Sequence, residues 1–262
     1  MVAVKGNLYT VKILTYIAEM ARKTKVARTR VRRAAKDVAS SRAVRKRNAP
    51  RTAGSSEGAP YHHGALHDAL LEAAERVLER DGLSGLTLRA VAREAGVSHA
   101  APTHHFGDLS GLLSELAAIG FRQFNTAMAA AGAAGTSQME KAMARAKAYV
   151  GYAQAHPGMY GLMFRTERLD YSRPSLHEAA EASFAGLAGS VGANRQEQIS
   201  GQGLSLAQAA DIARAWSLVH GFTMLLLDGR ISDILCRLPE GTDAATLLDA
   251  MLKRAIGPVP GA

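Results

Sequence analysis

Apolar residues recur at helical spacing along most of the chain from residue 64 onward. A first amphipathic stretch over 64–80 is ended by Asp81-Gly82. A short helix follows, with Leu88, Val91, Ala92 and Ala95 on one face, and Gly96 can end it because glycine adopts a positive φ without a Cβ penalty. Ser98 is predicted to cap a second short helix. Two short helices joined by a glycine-containing turn predict a helix-turn-helix, whose second helix typically enters the DNA major groove.

The pattern stays helical beyond this motif. Phe106-Gly107-Asp108 leads into a long helix that Asp108 or Ser110 is expected to cap and that the Ala/Gly-rich stretch 128–135 is expected to break. Two polar or Gly-rich stretches, 165–173 and 193–204, are predicted to be mobile loops. Further helices are predicted over 139–155, 157–164, 174–192, 205–229 and 243–256. No useful run alternates with a period of two, so the predicted fold class is all-α.

The excess of positive charge is confined to the N-terminal 60 residues. Of the net charge of +9, residues 1–60 contribute +12 (15 Lys and Arg against three Asp and Glu), and the other 202 residues contribute −3. The extension is predicted to hold a short amphipathic helix within 1–20, a basic stretch over 22–51 and a flexible linker over 52–60. It is either a disordered or partly helical tail, including residues translated from a start site set too far upstream, or a basic arm that adds salt-dependent phosphate contacts.

What the sequence lacks excludes several classes of protein. No apolar run reaches the roughly 18–20 residues that a membrane span needs, and the single cysteine, Cys236, cannot form an intrachain disulfide. The sequence has no phosphate-binding Gly loop, nucleophile elbow or metal-ligand spacing, so we expect no enzyme, no cofactor and no metal. Six of the nine histidines lie in or beside the helix-turn-helix. A metal or pH sensor is therefore an alternative, although no acidic or cysteine partner is spaced to complete a metal site.

The order of the motifs along the chain is similar to that of a known protein family. Tyr61-His62-His63-Gly64, Asp81-Gly82, Leu86-Thr87-Leu88, Gly96-Val97-Ser98 and His105-Phe106 together resemble the TetR family of bacterial repressors, closely over about 61–125. The stretches His156–Phe164 and Ala215–Gly221 resemble the C-terminal domain of a TetR subgroup named for its Trp-His-Gly signature.

The resemblance implies a cytoplasmic, homodimeric transcriptional repressor that binds a palindromic operator in double-stranded DNA and does not bind membranes. A small apolar or amphipathic effector would lower its operator affinity. The chain would then divide into the extension (1–60), a helix-turn-helix DNA-binding domain (61–107) and a helical effector-binding and dimerisation domain (108–257).

DNA contacts are expected at the start of the second helix of the motif and of the helix before it. The candidates are Thr87, Arg89, Ser98, His99, Ala100, Thr103, His104 and His105, although His105 is also expected to pack beside Phe106. The family often has tyrosine where Thr103 stands and lysine where Leu109 stands, so two phosphate contacts are missing here. Pro102 lies early in the recognition helix, where its missing N–H would deprive the Ser98 carbonyl of its usual partner.

The C-terminal domain is expected to hold a mostly apolar ligand pocket with a few polar groups. Trp216 and His220 lie one turn apart and either supply those polar groups or pack at the pocket's edge. The last two predicted helices, 205–229 and 243–256, are expected to pair with their symmetry mates as a four-helix bundle. The candidate lining residues, each of which could instead be plain core, are Phe121, Met143, Tyr149, Tyr152, Met159, Tyr160, Met163, Phe164, Phe184, Trp216, His220 and Met224.

One other function competes with repression. A sequence-blind, architectural nucleic-acid binder would use the basic arm, with the helical domain merely dimerising it. Sequence-specific footprinting, set against salt-sensitive binding to any DNA, separates the two.

Overall fold

The computed structural model describes residues 63–164, 166–199 and 203–256, and these residues form helices without any β-strand. The predictions made for residues 1–62 lie outside the described residues. The elements in chain order are α1 (His63–Gly85), α2 (Leu88–Glu94), α3 (Ala101–Phe106), α4 (Leu109–Ala133), α5 (Gln138–Ala155), α6 (Pro157–Met163), a 3₁₀ turn (Thr166–Arg168), α7 (Pro174–Arg195), α8 (Leu206–Leu227), α9 (Ser232–Leu235) and α10 (Ala244–Ile256). The predicted all-α fold is confirmed.

Helices α2 and α3 form the predicted helix-turn-helix. Thr87 caps α2 by accepting a hydrogen bond from the Ala90 backbone N–H at 3.1 Å. Gly96 has a φ of 68°, as the turn requires. The Val97 N–H then donates to the Ala92 carbonyl at 3.0 Å and closes the turn between the two helices.

The prediction that Ser98 caps the second helix is wrong. Helix α3 follows Ala100, whose side chain makes no capping hydrogen bond. The Ser98 carbonyl accepts instead from the Ala101 N–H at 3.0 Å, so it keeps a partner even though Pro102 has no N–H. Pro102 is buried in the first turn of α3, where proline is tolerated because the N–H groups there lack intrahelical acceptors.

Two predicted helix ends, at Asp81-Gly82 and within 128–135, are both found in the structure. Gly82, at a φ of 66°, breaks the helical path of α1 where Asp81-Gly82 predicted its end. Asp108 caps α4 by accepting from the Gly111 N–H at 2.8 Å, and α4 ends at Ala133, inside the stretch 128–135 that was predicted to break it. The helix runs through the first part of that stretch because alanine is the best helix former and outweighs Gly132.

The later helices lie close to their predicted ranges, and α9 is an addition that the sequence did not predict. Capping boxes begin α5, with Ser137 and Glu140, and α8, with Ser205 and Gln208. The described part of the segment 165–173 is not the mobile loop that was predicted. It is held against α4 by the buried side chain of Leu169 and by further contacts described below.

One main core joins the helix-turn-helix to the helices behind it. Leu78 of α1 and Phe106 of α3 belong to the same buried cluster as Leu162 and Met163 of α6. Smaller clusters lie between α5, α8, α9 and α10, and between α7 and α8. Because the main cluster includes side chains from both sides of residue 107, the division into 61–107 and 108–257 stays a prediction. No helix in the described ranges is both long and apolar enough to cross a bilayer.

Candidate functional site

The first candidate site is an exposed surface at α3 and the start of α2. Seven of the eight predicted DNA-binding residues are solvent-exposed, and we call these seven the reading face: Thr87, Arg89, Ser98, His99, Ala100, Thr103 and His104. The eighth, His105, is half-buried. Side chains exposed at the start of a recognition helix are the ones that can reach base edges, and those opening the preceding helix can reach phosphates.

Thr87 has a structural role that does not conflict with a phosphate contact. Its hydroxyl oxygen accepts from the Ala90 N–H to cap α2. A threonine hydroxyl has one donor hydrogen besides its acceptor lone pairs. Capping uses only an acceptor, so the O–H of Thr87 can still donate to a phosphate oxygen.

Behind the reading face, the histidine rings that the structure describes pack against aromatic neighbours and do not form a cluster suited to a metal ion. The ring of His67 on α1 lies 5.0 Å from that of Phe106 and 6.1 Å from that of His105, measured between centroids. Within the described ranges, no group of three or more His, Cys, Asp or Glu side chains is arranged to hold a metal ion.

Ion pairs fix α2 against α1. The carboxylate of Glu94 accepts from Arg76 Nε at 3.0 Å and from Arg80 Nη1 at 2.8 Å. These hydrogen bonds, the one from Arg80 first, lower the pKa of Glu94 below its usual range. The helix that presents Thr87 and Arg89 is thereby held to the first helix of the domain.

The second candidate site is a partly buried triangle of polar atoms, which we call the Tyr–His cluster: Tyr149 of α5, Tyr160 of α6 and His220 of α8. The Tyr160 hydroxyl lies 2.7 Å from His220 Nδ1, the Tyr149 hydroxyl lies 2.9 Å from the same nitrogen, and the two hydroxyls are 3.0 Å apart. Both hydroxyl hydrogens find an acceptor when one donates to Nδ1 and the other to its fellow hydroxyl. That arrangement places the ring proton on Nε2.

Burial extends the pH range over which all three groups of the cluster are uncharged. It lowers the pKa of His220 from 6.5 to about 4. It also raises the pKa values of Tyr149 and Tyr160 well above 10. The cluster therefore offers hydrogen bonds but no charge, which suits a polar, uncharged group on an otherwise apolar molecule.

Aromatic rings surround the Tyr–His cluster. Phe164 lies 4.8 Å from Tyr160 and 5.0 Å from His220, between ring centroids. Trp216 lies 6.4 Å from His220, and Phe121 lies 6.0 Å from Phe164. Five sequence-predicted pocket residues, Tyr149, Tyr160, Phe164, Trp216 and His220, are thus brought into one group with Phe121 beside it.

Other predicted pocket residues have different positions. Met159 and Met163 are buried against Gly120, whose missing Cβ would lie 2.7 Å from Met159 Sδ and 3.0 Å from Met163 Sδ. Tyr152 is buried and its hydroxyl donates to the Gly120 carbonyl at 3.1 Å, so it belongs to the contact between α4 and α5. Burial raises the pKa of Tyr152 to about 12.

The remaining candidates lie apart from the Tyr–His cluster. Phe184 packs in the separate cluster between α7 and α8, with Ile199 and Ile212. Met143 is half-buried on α5. Met224, on α8, is 40% exposed, so its side chain is available at the surface.

Sequence reasoning missed two neighbours of the cluster. Phe124 of α4 packs edge-on against Tyr149, with ring centroids 5.1 Å apart. Thr223, fully buried on α8, lies three residues beyond His220. The helical spacing of Trp216, His220 and Thr223 is a signal that could have identified the threonine. The role of Phe124 depends on packing between α4 and α5, which spacing within one helix does not reveal.

Comparisons with known proteins cover both parts of the chain. Residues 70–116 match the family described as bacterial regulatory proteins, tetR family. Residues 142–255 match the tetracyclin repressor-like C-terminal domain. The Trp-His-Gly subgroup stays a prediction, since neither match names it.

Individual relatives agree with these matches. An uncharacterized HTH-type transcriptional regulator of Mycobacterium tuberculosis is 28% identical over 191 residues, which cover 72% of this chain and 80% of that protein. The structure of a protein of unknown function from Rhodococcus sp. is 33% identical, with a TM-score of 0.58, over 76% of this chain and 97% of that one. FadR from Bacillus subtilis, solved in complex with stearoyl-CoA, is 15% identical with a TM-score of 0.53, over 73% of this chain and 98% of that one, and shows the shared fold alone. The matched families are transcriptional regulators rather than enzymes, and this chain belongs to the TetR family of DNA-binding transcriptional regulators.

Proposed function

We propose that the protein is a homodimeric cytoplasmic repressor that binds a palindromic operator through the reading face and is released by a small apolar or amphipathic effector at the Tyr–His cluster. One observation carries the proposal: α6 contacts both parts. It contributes Tyr160 to the cluster, and it lies so close to α1 that a Cβ on Gly158 would be 3.2 Å from the Leu78 carbonyl oxygen.

The chemistry of the reading face suits DNA. The rings of His99 and His104 can donate to or accept from base edges, and the methyl groups of Ala100 and Thr103 can contact a thymine methyl. Arg89 supplies a charge for phosphate at the start of α2. In a twofold symmetric dimer, two reading faces would contact two half-sites about one helical turn of DNA apart, or a multiple of it, which is why we expect an inverted repeat.

Exposed apolar side chains on α8 support the dimer. Leu206 is 88% exposed, and Met224 and Leu225 are 40% and 43% exposed. Burying such residues against a second copy removes apolar surface from water. Pairing α8 and α10 with their symmetry mates would form a four-helix bundle and explain why these residues are apolar.

The effector class follows from the surroundings of the Tyr–His cluster. Uncharged hydroxyl and imidazole groups bordered by Phe164 and Trp216, with Phe121 beyond Phe164, favour a molecule with an apolar body and a polar, uncharged group. FadR was solved with stearoyl-CoA, a long-chain amphipathic molecule. Long-chain acyl compounds are therefore a sensible first set to screen.

Release would proceed through α6. An effector that hydrogen-bonds to Tyr160 and inserts its apolar part beside Phe164 would displace α6 from its effector-free position. Because Gly158 lies directly against the Leu78 carbonyl, a shift of α6 moves α1 or loses that contact. The effector lowers operator affinity to the extent that it binds the shifted arrangement better than the DNA-bound one.

The first test is a genome-fragment binding selection with the full-length protein at about physiological salt. We expect enrichment of a short inverted repeat. Enrichment of DNA without any shared motif would contradict the proposal and favour the sequence-blind binder that uses the basic arm.

The second test addresses the effector. A long-chain acyl compound that releases the selected fragment should act less well on Tyr160→Phe, which loses one hydroxyl of the cluster but is expected to keep the wild-type DNA affinity. Gln154→Ala, at an exposed position on α5, is the control variant. Equal release of wild type and Tyr160→Phe by every active compound would place the effector elsewhere.

The third test addresses the dimer. Leu225→Lys should shift the protein from dimer to monomer in sedimentation velocity at micromolar concentration, because it places a charge in the proposed interface. Met139→Lys changes a similarly exposed apolar residue on α5 and should leave the dimer intact. Dissociation of neither variant, or of both, would argue against the α8 interface.

A further inference from the structure

The segment 166–173, which we call the strap, connects the effector-side helices to the DNA-binding helices. The Asp170 N–H donates to Ser114 Oγ of α4 at 2.8 Å, and Leu169 is buried in the main core. Arg168 donates to the Leu83 carbonyl near the end of α1 at 3.4 Å. The strap therefore contacts both the first helix of the DNA-binding part and the long helix α4.

Arg173, the last residue of the strap, reaches the end of the recognition helix. Its Nη2 donates to the carbonyl oxygen of Phe106 at 2.8 Å. Phe106 is the last residue of α3, and the final carbonyls of a helix lack intrahelical partners. The backbone of Arg173 also precedes the first turn of α7, where the His177 N–H donates to its carbonyl at 3.0 Å. A single residue thus links the C-terminus of α3 to the N-terminus of α7.

Helix α4 leaves space for the side chain of Arg173. A Cβ on Gly111, in the first turn of α4, would overlap both the Phe106 carbonyl oxygen and the Arg173 guanidinium. Gly111 is buried, and its own N–H donates to the capping carboxylate of Asp108. The absence of a side chain at position 111 is what lets the guanidinium lie between α3 and α4.

Two carboxylates lie just beyond hydrogen-bond distance of the same guanidinium. Arg173 Nη1 is 3.9 Å from Glu115 Oε1, and Nε is 3.8 Å from Asp170 Oδ2. The Nε is buried and has no hydrogen-bond partner among the described residues. A buried donor without a hydrogen-bond partner costs free energy. A small shift that brings Nε within hydrogen-bond distance of Asp170, or Nη1 within that distance of Glu115, would therefore offset the loss of the hydrogen bond to the Phe106 carbonyl.

We infer that Arg173 is a positioning residue for DNA reading: its hydrogen bond to the Phe106 carbonyl sets the orientation of α3 relative to the effector-side helices, and the nearby carboxylates allow that bond to be exchanged. The inference rests on the proposed function, because it concerns operator recognition. It predicts that specific binding depends on Arg173 although the residue is not part of the reading face.

The test compares Arg173→Ala and Arg173→Lys with Arg195→Ala, using the fragment recovered by the wild-type selection and a scrambled duplex. Arg195 is the matched control, because it also pairs with carboxylates, those of Glu197 and Asp211, but joins α7 to α8. Arg173→Ala should lower affinity for the selected fragment about ten-fold, the effect of one charge-assisted hydrogen bond, and leave the scrambled duplex within about two-fold. Arg173→Lys, which keeps one charged donor, should recover part of the loss.

A second readout does not depend on DNA. Backbone amide hydrogen exchange should speed up at residues 103–107 in Arg173→Ala while α5 keeps its protection, because only the end of α3 loses a partner. An equal loss of operator affinity in Arg173→Ala and Arg195→Ala would mean that the lost positive charge alone explains the effect, and it would overturn the inference. So would wild-type operator affinity, or wild-type exchange at the end of α3, in Arg173→Ala. If the wild type selects no motif, the proposed function fails, while the exchange result still decides whether Arg173 holds α3.

Discussion

Acidification from pH 7 to pH 5 is expected to lower the free energy of unfolding of the wild type by about 2 kcal/mol through His220. Replacing His220 by asparagine should abolish this loss. In the folded protein, burial lowers the pKa of His220 from 6.5 to about 4. As the pH falls below 6.5, the unfolded chain binds a proton at this residue and the folded chain does not. Acidification therefore favours unfolding, and the contribution of neutral His220 is fully present above pH 6.5 and is lost towards pH 4.

The magnitude follows from the same two pKa values. Each pH unit between them costs about 1.4 kcal/mol. From pH 6.5 to pH 5 this amounts to about 2 kcal/mol, a large part of the roughly 5–15 kcal/mol by which a domain is stable. Asparagine can present an amide oxygen near the position of Nδ1, so His220→Asn keeps an acceptor for the two tyrosine hydroxyls but has no group that titrates.

The assay is urea unfolding of wild type and His220→Asn at one fixed protein concentration, at pH 8, 7, 6 and 5. The difference in unfolding free energy between the two proteins should be constant from pH 8 to 7 and should then shift by about 2 kcal/mol in favour of the variant by pH 5. Parallel curves over the whole range would refute the reasoning, because they would mean that His220 is not held neutral by burial.

Four further outcomes are expected. Gly120→Ala should lower the free energy of unfolding by about 1–3 kcal/mol, because its Cβ would lie 2.7 Å from Met159 Sδ, as measured by urea denaturation. Gly151→Ala, at an exposed helical position with nothing within 4 Å of the new Cβ, should raise it by up to about 1 kcal/mol in the same assay, and a loss as large as that at Gly120 would contradict the packing argument. Ser137→Ala should cost about 1 kcal/mol by removing the capping box of α5, and an unchanged urea midpoint would show that the cap is not formed in solution. Deleting residues 1–55, which hold all 15 Lys and Arg of the extension, should weaken DNA binding and flatten its salt dependence, so an unchanged slope of log affinity against log salt would rule out the basic arm.

Local sequence signals predicted those parts of the fold that depend only on neighbouring residues. Gly96 ends the first short helix and Asp108 caps α4, because both effects act within a turn of the residue concerned. The Ser98 cap failed for a subtle reason: the Ser98 carbonyl bonds to the Ala101 N–H, and the helix starts later. The break predicted over 128–135 falls late in that stretch, because the alanines keep their helical preference through Gly132 and α4 ends only at Ala133.

Among the candidate sites, the reading face could also be predicted from local sequence, whereas the Tyr–His cluster and Arg173 depend on contacts between distant parts of the chain. The exposed reading face could be predicted from sequence order, because small and polar residues at the start of a short helix favour exposure, although Pro102 in the same turn is buried. Tyr149, Tyr160 and His220 were named from aromatic spacing, but their shared triangle depends on the packing of α8 against α5 and α6, which brings His220 to tyrosines 71 and 60 residues away in the sequence. Arg173 had no sequence signal, because its partner Phe106 is 67 residues away and the segment between them reads as loop and helix.

The most direct test of the account is to repeat the genome-fragment selection with His99→Ala. If the exposed start of α3 reads bases, the variant should still enrich the inverted repeat but should lose its base preference at one position, at the equivalent place in both half-sites. An unchanged motif, bound more weakly at every site or bound as well as before, would mean that His99 does not read bases and that the reading face is wrongly placed.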